Sequence, residues 1–142
     1  MIADTEILLI ALVLTIEGVE DVIGEKGAGA VLRKVGEYSG PQLLESLIGK
    51  FPEVLDKESA IKRSIDIIKE LGFAEDLVLS GDKIIVKNDI FTEAMKKEVK
   101  TNSPVVLFLA GLIEGFVKFM SNDKIFIRPL NAQKGLIEFT VK

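Results

Sequence analysis

Residues 103–120, SPVVLFLAGLIEGFVKFM, constrain the fold more than any other stretch. Serine followed by proline is the order of a helix start: Ser103 can accept a hydrogen bond from a free first-turn N–H, and Pro104 has no N–H to leave orphaned. From Val105 to Ile113 no side chain is charged, so this helix is apolar on all sides and has to be covered nearly everywhere. It belongs in the middle of the molecule. Glu114 and Lys118, four apart in the favourable order, are expected to form its one wet edge. Gly111 and Gly115, also four apart, leave a flat strip for close approach of another element, although glycine in a helix costs about 1 kcal/mol against alanine.

A chain of 142 residues is read as one domain, 1–142, around a single core. It has no cysteine and no histidine, which excludes disulfides, cysteine–histidine zinc sites, thiol nucleophiles and histidine general bases. No metal and no cofactor are assigned. The net charge of −4 argues against nucleic acid, whose nonspecific binding requires clustered cations. The apolar run 7–16 is about half of the ~20 residues that a bilayer span needs. Asp4 and Glu6 stand where an export signal would be positive. The reading is a cytoplasmic protein with no transmembrane segment, its first helix either buried or used as an oligomer surface.

That first helix, capped by Asp4 or Thr5, is expected to run to about Ile16. The carboxylates Glu17, Glu20, Asp21 and Glu25 that follow share one side of a helical turn, and although a hard cation could use such oxygens, they are read as a solvated acidic face. In residues 24–49, Val31, Leu32 and Val35 form one apolar stripe and Leu43, Leu44, Leu47 and Ile48 another, with Gly40 ending one helix and Pro41 starting the next. Gly27, Ala28 and Gly29 suggest a phosphate loop, but no strand leads in and no Lys-Ser/Thr pair follows. They read as small residues that let helices approach.

Phe51 to Val54, with Pro52, is read as a loop. Asp56 can cap a helix to Leu71 that Gly72 ends, with Ile61, Ile65 and Ile68 on its buried face. Leu77 to Leu79 and Lys83 to Lys87 make a hairpin about Ser80, Gly81 and Asp82. A short helix capped by Asp89 is expected from about Ile90 to Val99, with Phe91, Met95 and Val99 four apart on its apolar side. Ile125 to Leu130 reads as a strand placed at an edge by Pro129, Asn131 to Gly135 as a turn, and Leu136 to Val141 as a half-buried strand. The fold class is α+β: an antiparallel sheet of about four strands with helices packed on it and a mostly helical N-terminal half.

The segments GVEDVIGEKGAGAVLRKVGEYSG and FLAGLIEGFVKFMSNDKIFIRPLNAQKGLIEFTV resemble the 4-vinyl reductase domain family, also described as predicted hydrocarbon-binding proteins. The resemblance spans residues 17–142 and is carried most by the F-L-A-G-x-x-E-G helix and the hairpin after it. It implies a fold related to haem nitric-oxide sensor domains and TRAPP-type tethering subunits, and a module that binds a small hydrophobic ligand, commonly as a dimer. Many members carry metal-binding cysteines where this chain has Asn88, 103–105 and 130–137, so a structural zinc is not expected, and without histidine there is no axial ligand for haem.

Three functions follow. In the first, a small hydrophobic or amphipathic molecule sits between the central helix, the glycine-rich segment and the sheet. Phe108, Leu112 and Phe116 form one wall, Tyr38, Leu43 and Leu44 the other, and Arg128 pairs with an anionic headgroup. In the second, the chain is an assembly module whose apolar run 7–16 makes a homodimer. In the third, Tyr38 with Ser39 or Lys34 serves a reductase, but a lone tyrosine is no catalytic constellation and no catalytic residue is assigned. The bland reading of the Phe/Leu wall is core packing.

Overall fold

The computed structural model describes residues 5–49 and 54–142. Five helices and four strands follow in the order α1 (Thr5–Ile23), α2 (Glu25–Ile48), α3 (Lys57–Glu70), β1 (Ala74–Ser80), β2 (Lys83–Asp89), α4 (Ile90–Glu93), α5 (Pro104–Ser121), β3 (Ile127–Gln133) and β4 (Leu136–Val141). The expected α+β class is the observed one. The loop at Phe51 and Pro52, and Asp4 as a cap, lie outside the described residues.

The strands form one antiparallel sheet in the order β1-β2-β4-β3. Alternation decides its faces: Leu77, Ile84, Val86, Ile137, Phe139 and Ile127 are buried, whereas Val78, Lys83 and Arg128 are exposed. Pro129 lies in the edge strand β3, beside a bulge between Pro129 and Asn131, where a missing N–H costs least. Asn131 to Gln133 continue the strand, so the expected turn shortens to Lys134 and Gly135. The β1–β2 hairpin closes with Ser80 paired to Lys83.

Pro104 is the first residue of α5, and the helix is covered as its composition demands: Val105, Val106, Leu109, Leu112, Ile113, Phe116 and Val117 are all buried. Its length and hydropathy would suit a bilayer span, but 78% of it is covered by protein. Ser103 does not cap through its side chain; its hydroxyl accepts from the Lys100 N–H instead, at 2.8 Å. Asp56 does cap α3, accepting from the Ser59 N–H, and Gly72 leaves that helix with φ +76°.

Two expected boundaries shift for physical reasons. The Gly40–Pro41 break is absent, and α2 runs through it. Interior proline normally costs about 3 kcal/mol, partly by removing an i→i−4 hydrogen bond and partly by clashing with the residue before it. Here that residue is Gly40, with no Cβ to clash. The carbonyl left without a helical donor is that of Glu37, and it faces Gly115, where an ideal Cβ would stand only 2.5 Å from it. The other shift is α4, which stops at Glu93 although Phe91, Met95 and Val99 are all buried. The amides of Lys96 and Lys97 are taken by the Glu17 carboxylate of α1, at 2.7 and 3.1 Å. A tertiary acceptor replaces the helical one.

α2 lies on α5 with backbone against backbone. An added Cβ at Gly111 would meet the Arg33 carbonyl at 2.1 Å, and at Gly36 the Phe108 carbonyl at 2.3 Å; at Gly40 it would meet Phe116 N at 3.0 Å. The flat strip expected of Gly111 and Gly115 is therefore occupied by α2, as in tightly packed small-xxx-small helix pairs. The Gly27, Ala28, Gly29 triplet is helical, and Gly29 touches Leu107 of α5. We expect Gly111→Ala to cost about 3 kcal/mol or more by forcing the helices apart. Gly18→Ala, at an exposed helical site with nothing within 4 Å, should gain up to about 1 kcal/mol. Urea denaturation of the two variants checks the pair; equal responses would show that the glycine strip does not set the helix spacing.

Candidate ligand-binding clefts

Glu114 is not the wet edge of α5. It is buried and accepts from Arg33 at 2.7 Å (Nη2 to Oε2) and 3.2 Å (Nε to Oε1), and from the Ile127 N–H at 2.9 Å. The same Arg33 donates to the Ile127 carbonyl and lies over the Phe126 ring, 4.5 Å from its centroid. One fork of hydrogen bonds thus joins α2, α5 and β3. Lys118 alone of the expected pair is exposed.

The acidic group after the first apolar run behaves in a similar way. α1 continues to Ile23, so Glu17 comes to lie on its inner side and is buried on the amides described above. Glu20 and Asp21 pair with Lys97, whose pKa is raised chiefly by the hydrogen bond to Asp21. No cluster suited to a metal ion occurs among the described residues.

The first cleft, about 790 Å³, opens between α1, the α3–β1 turn, α4 and α5. Leu8, Leu9 and Leu12 of α1 form one side, Leu71 and Phe73 the second, and Ile90, Phe91 and Phe108 the back. The three phenylalanines make an edge-to-face chain: Phe73 to Phe91 is 5.4 Å between centroids and Phe91 to Phe108 is 5.6 Å. Such geometry adds about 0.5–1.5 kcal/mol per pair beyond area burial and leaves ring faces and edges for a further aromatic group. The carboxylates of Glu6 and Glu93 are the ionic part of a lining that is otherwise mostly hydrocarbon.

Phe91 is held by a buried polar network. Asp89 caps α4, its carboxylate accepting from the Thr92 N–H at 2.7 Å and from the Thr92 hydroxyl. The Gly135 N–H donates to that hydroxyl oxygen at 3.0 Å, and Ile90 N–H donates to Phe73 O at 2.9 Å. The cleft's back wall is thereby fixed to the β3–β4 hairpin and to the turn before β1.

A second cleft, about 920 Å³, lies on the other side of the α2–α5 pair, between α2, the C-terminal half of α5 and the segment leading to β3. Tyr38 and Pro41 line it from α2, Phe119 from α5 and Ile125 from the segment beyond, with Lys118 and Lys124 among them.

The residues expected to make a single pocket are dispersed. Phe108 lines the first cleft and Tyr38 the second. Leu44, Leu112 and Phe116 are fully buried in the core, and Leu43, with Tyr38, borders a shallow depression on the outer side of α2. Arg128 follows buried Ile127 and so faces solvent on the open side of the sheet, opposite Thr140. Direct contact of α2 with α5 leaves no room between them. Sequence places Phe91 only in a helical stripe with Met95 and Val99 and assigns Phe73 no role; the signal for them as a pair is an aromatic on each side of the β1–β2 hairpin.

No family model matches the chain, and no curated protein matches it in sequence. Among solved structures, the fold is similar to that of the phenol-responsive sensory domain of the transcription activator PoxR, solved with phenol. The TM-score is 0.64 at 12% identity, over 99% of this chain and 76% of that one.

Burial of Asp89 pushes its carboxyl pKa above the ordinary 3.8, against the lowering effect of its Thr92 hydrogen bonds. With the folded value above the unfolded one, the native state holds the extra proton, so this group's contribution is full at low pH and is lost as pH rises from 3.8 through the raised value. Asp89→Asn keeps an acceptor for the Thr92 N–H and should flatten that part of a melting-temperature profile. A profile unchanged in slope would mean that the carboxylate is not desolvated.

Proposed function

We propose that the chain is a small-molecule sensory or binding module that takes a compact aromatic or apolar ligand in the first cleft. The Phe73–Phe91–Phe108 chain at the back of an apolar space of about 790 Å³ carries the reading. That volume lies within the range of small-molecule pockets, which are mostly apolar with a few polar anchors. The fold's likeness to a phenol-responsive sensory domain supports the same class of ligand. It also fits the resemblance to the 4-vinyl reductase, or hydrocarbon-binding, domains. A ligand hydroxyl could donate to the Glu93 carboxylate, while the ring would lie against Phe91 and Phe108. The binding role needs no bond-making group from the chain, and the reading is non-catalytic and cytoplasmic.

Isothermal titration with phenol and with toluene tests the site. Saturable phenol binding with a Kd below about 1 mM is expected, weakened about 3- to 10-fold in Phe108→Ala, the loss of one aromatic pair. Absence of saturable binding by either compound, in a protein folded by circular dichroism, would end this assignment.

A second, compatible reading is self-association through α1. Ile7, Leu14 and Val22 share its outward side at 64%, 42% and 85% exposure, an apolar stripe that a twofold partner would cover. Light scattering at micromolar concentration should give a dimer, and Leu14→Glu a monomer; a monomeric parent protein would remove this reading.

A further inference from the structure

We infer that the second cleft is a separate binding site for an amphipathic monoanion, a carboxylate carried on an apolar chain or ring. Charge accounting on its walls points to an anion. Four acidic and basic side chains around it are already committed to each other: Glu114 is held by Arg33 at 2.7 Å, and Glu37 lies 3.4 Å from Lys34. Lys118 and Lys124 remain, both exposed and neither engaged in an ion pair or side-chain hydrogen bond among the described residues. The neutralised pairs leave two ammonium groups to set the sign of the cleft, and a lysine head is a compact three-donor partner for a carboxylate.

The rest of the lining asks for an apolar body on that anion. Tyr38 is 65% exposed, with the Lys34 ammonium 5.3 Å from its ring centroid. Phe119, Pro41 and Ile125 supply hydrocarbon, and Gly115, pressed against the Glu37 carbonyl, contributes no side chain to fill the space. A small inorganic anion would leave these surfaces wet, and a neutral hydrocarbon would leave the two lysines unused. The first cleft differs in kind, since its ionic groups are carboxylates. The two sites therefore select different ligands, a neutral compact one in the first cleft and an anion in the second.

The chain has one tyrosine and no tryptophan, so its native emission reports on this cleft through Tyr38. Octanoate, which is transparent where tyrosine absorbs, should change that emission saturably in the full chain. Octanol, with the same chain and no charge, should bind on the order of tenfold more weakly, the worth of a charge-assisted hydrogen bond. Added salt should weaken octanoate binding, and the exposed double substitution Lys118→Gln with Lys124→Gln should weaken it by a similar factor. Three results would each overturn the inference: no saturable change with octanoate, equal affinity for octanol, or undiminished binding in the double variant. The phenol titration is independent of all three, so either site can fail alone.

Discussion

Everything in this molecule depends on two helices meeting without side chains between them. Gly36 and Gly40 on α2 face the backbone of α5, and Gly111 and Gly115 on α5 face that of α2. Each glycine gives up helix propensity of about 1 kcal/mol against alanine, so this pairing is sustained by tertiary contact. With α2 seated so low, α5 can be covered on that side and still offer its apolar residues to α3 and the sheet. The same proximity squeezes any ligand space out of the α2–α5 contact and displaces it to the two flanks, where the clefts lie.

The charged residues of the interior follow from this arrangement. Glu114 is drawn inside because α2 brings Arg33 to it, and the pair's remaining capacity is met by the amide and carbonyl of Ile127. Glu17 is drawn inside because a stretch of irregular backbone after α4 needs an acceptor for two amides. Both carboxylates are multiply hydrogen-bonded, which is the condition under which burying charge is tolerable. No buried side-chain polar atom lacks a partner among the described residues. They work as crosslinks between elements far apart in the chain.

What was legible in the sequence was local. Pro104, Asp56, Asp89 and Gly72 marked helix ends by chemistry contained within a few residues, and the alternation in Leu136 to Val141 gave a strand and its buried face. What was not legible depended on partners distant in sequence. Gly40–Pro41 is a break signal in isolation, yet α2 runs through it, with no Cβ on Gly40 to clash and the freed Glu37 carbonyl facing Gly115 of α5. Met95 and Val99 keep the burial expected of a helix while the helix itself gives way to Glu17. The pocket failed to assemble for the same reason: Phe108, Leu112 and Phe116 recur on one helical face, but a turn-by-turn repeat cannot say that the last two meet the core while the first meets Phe91. Tyr38 and Arg128 were placed by residue type, and period and pairing put them elsewhere.

α1 has a mechanical property that follows from its two sides. Leu8, Leu9 and Leu12 border the first cleft, Ile7 and Leu14 point outward, and Glu17 grips the segment beyond α4 nearer the helix's other end. A helix is stiff over this length, so the wall of the cleft and the outer stripe belong to one rigid element, and a displacement of one side would carry the other with it.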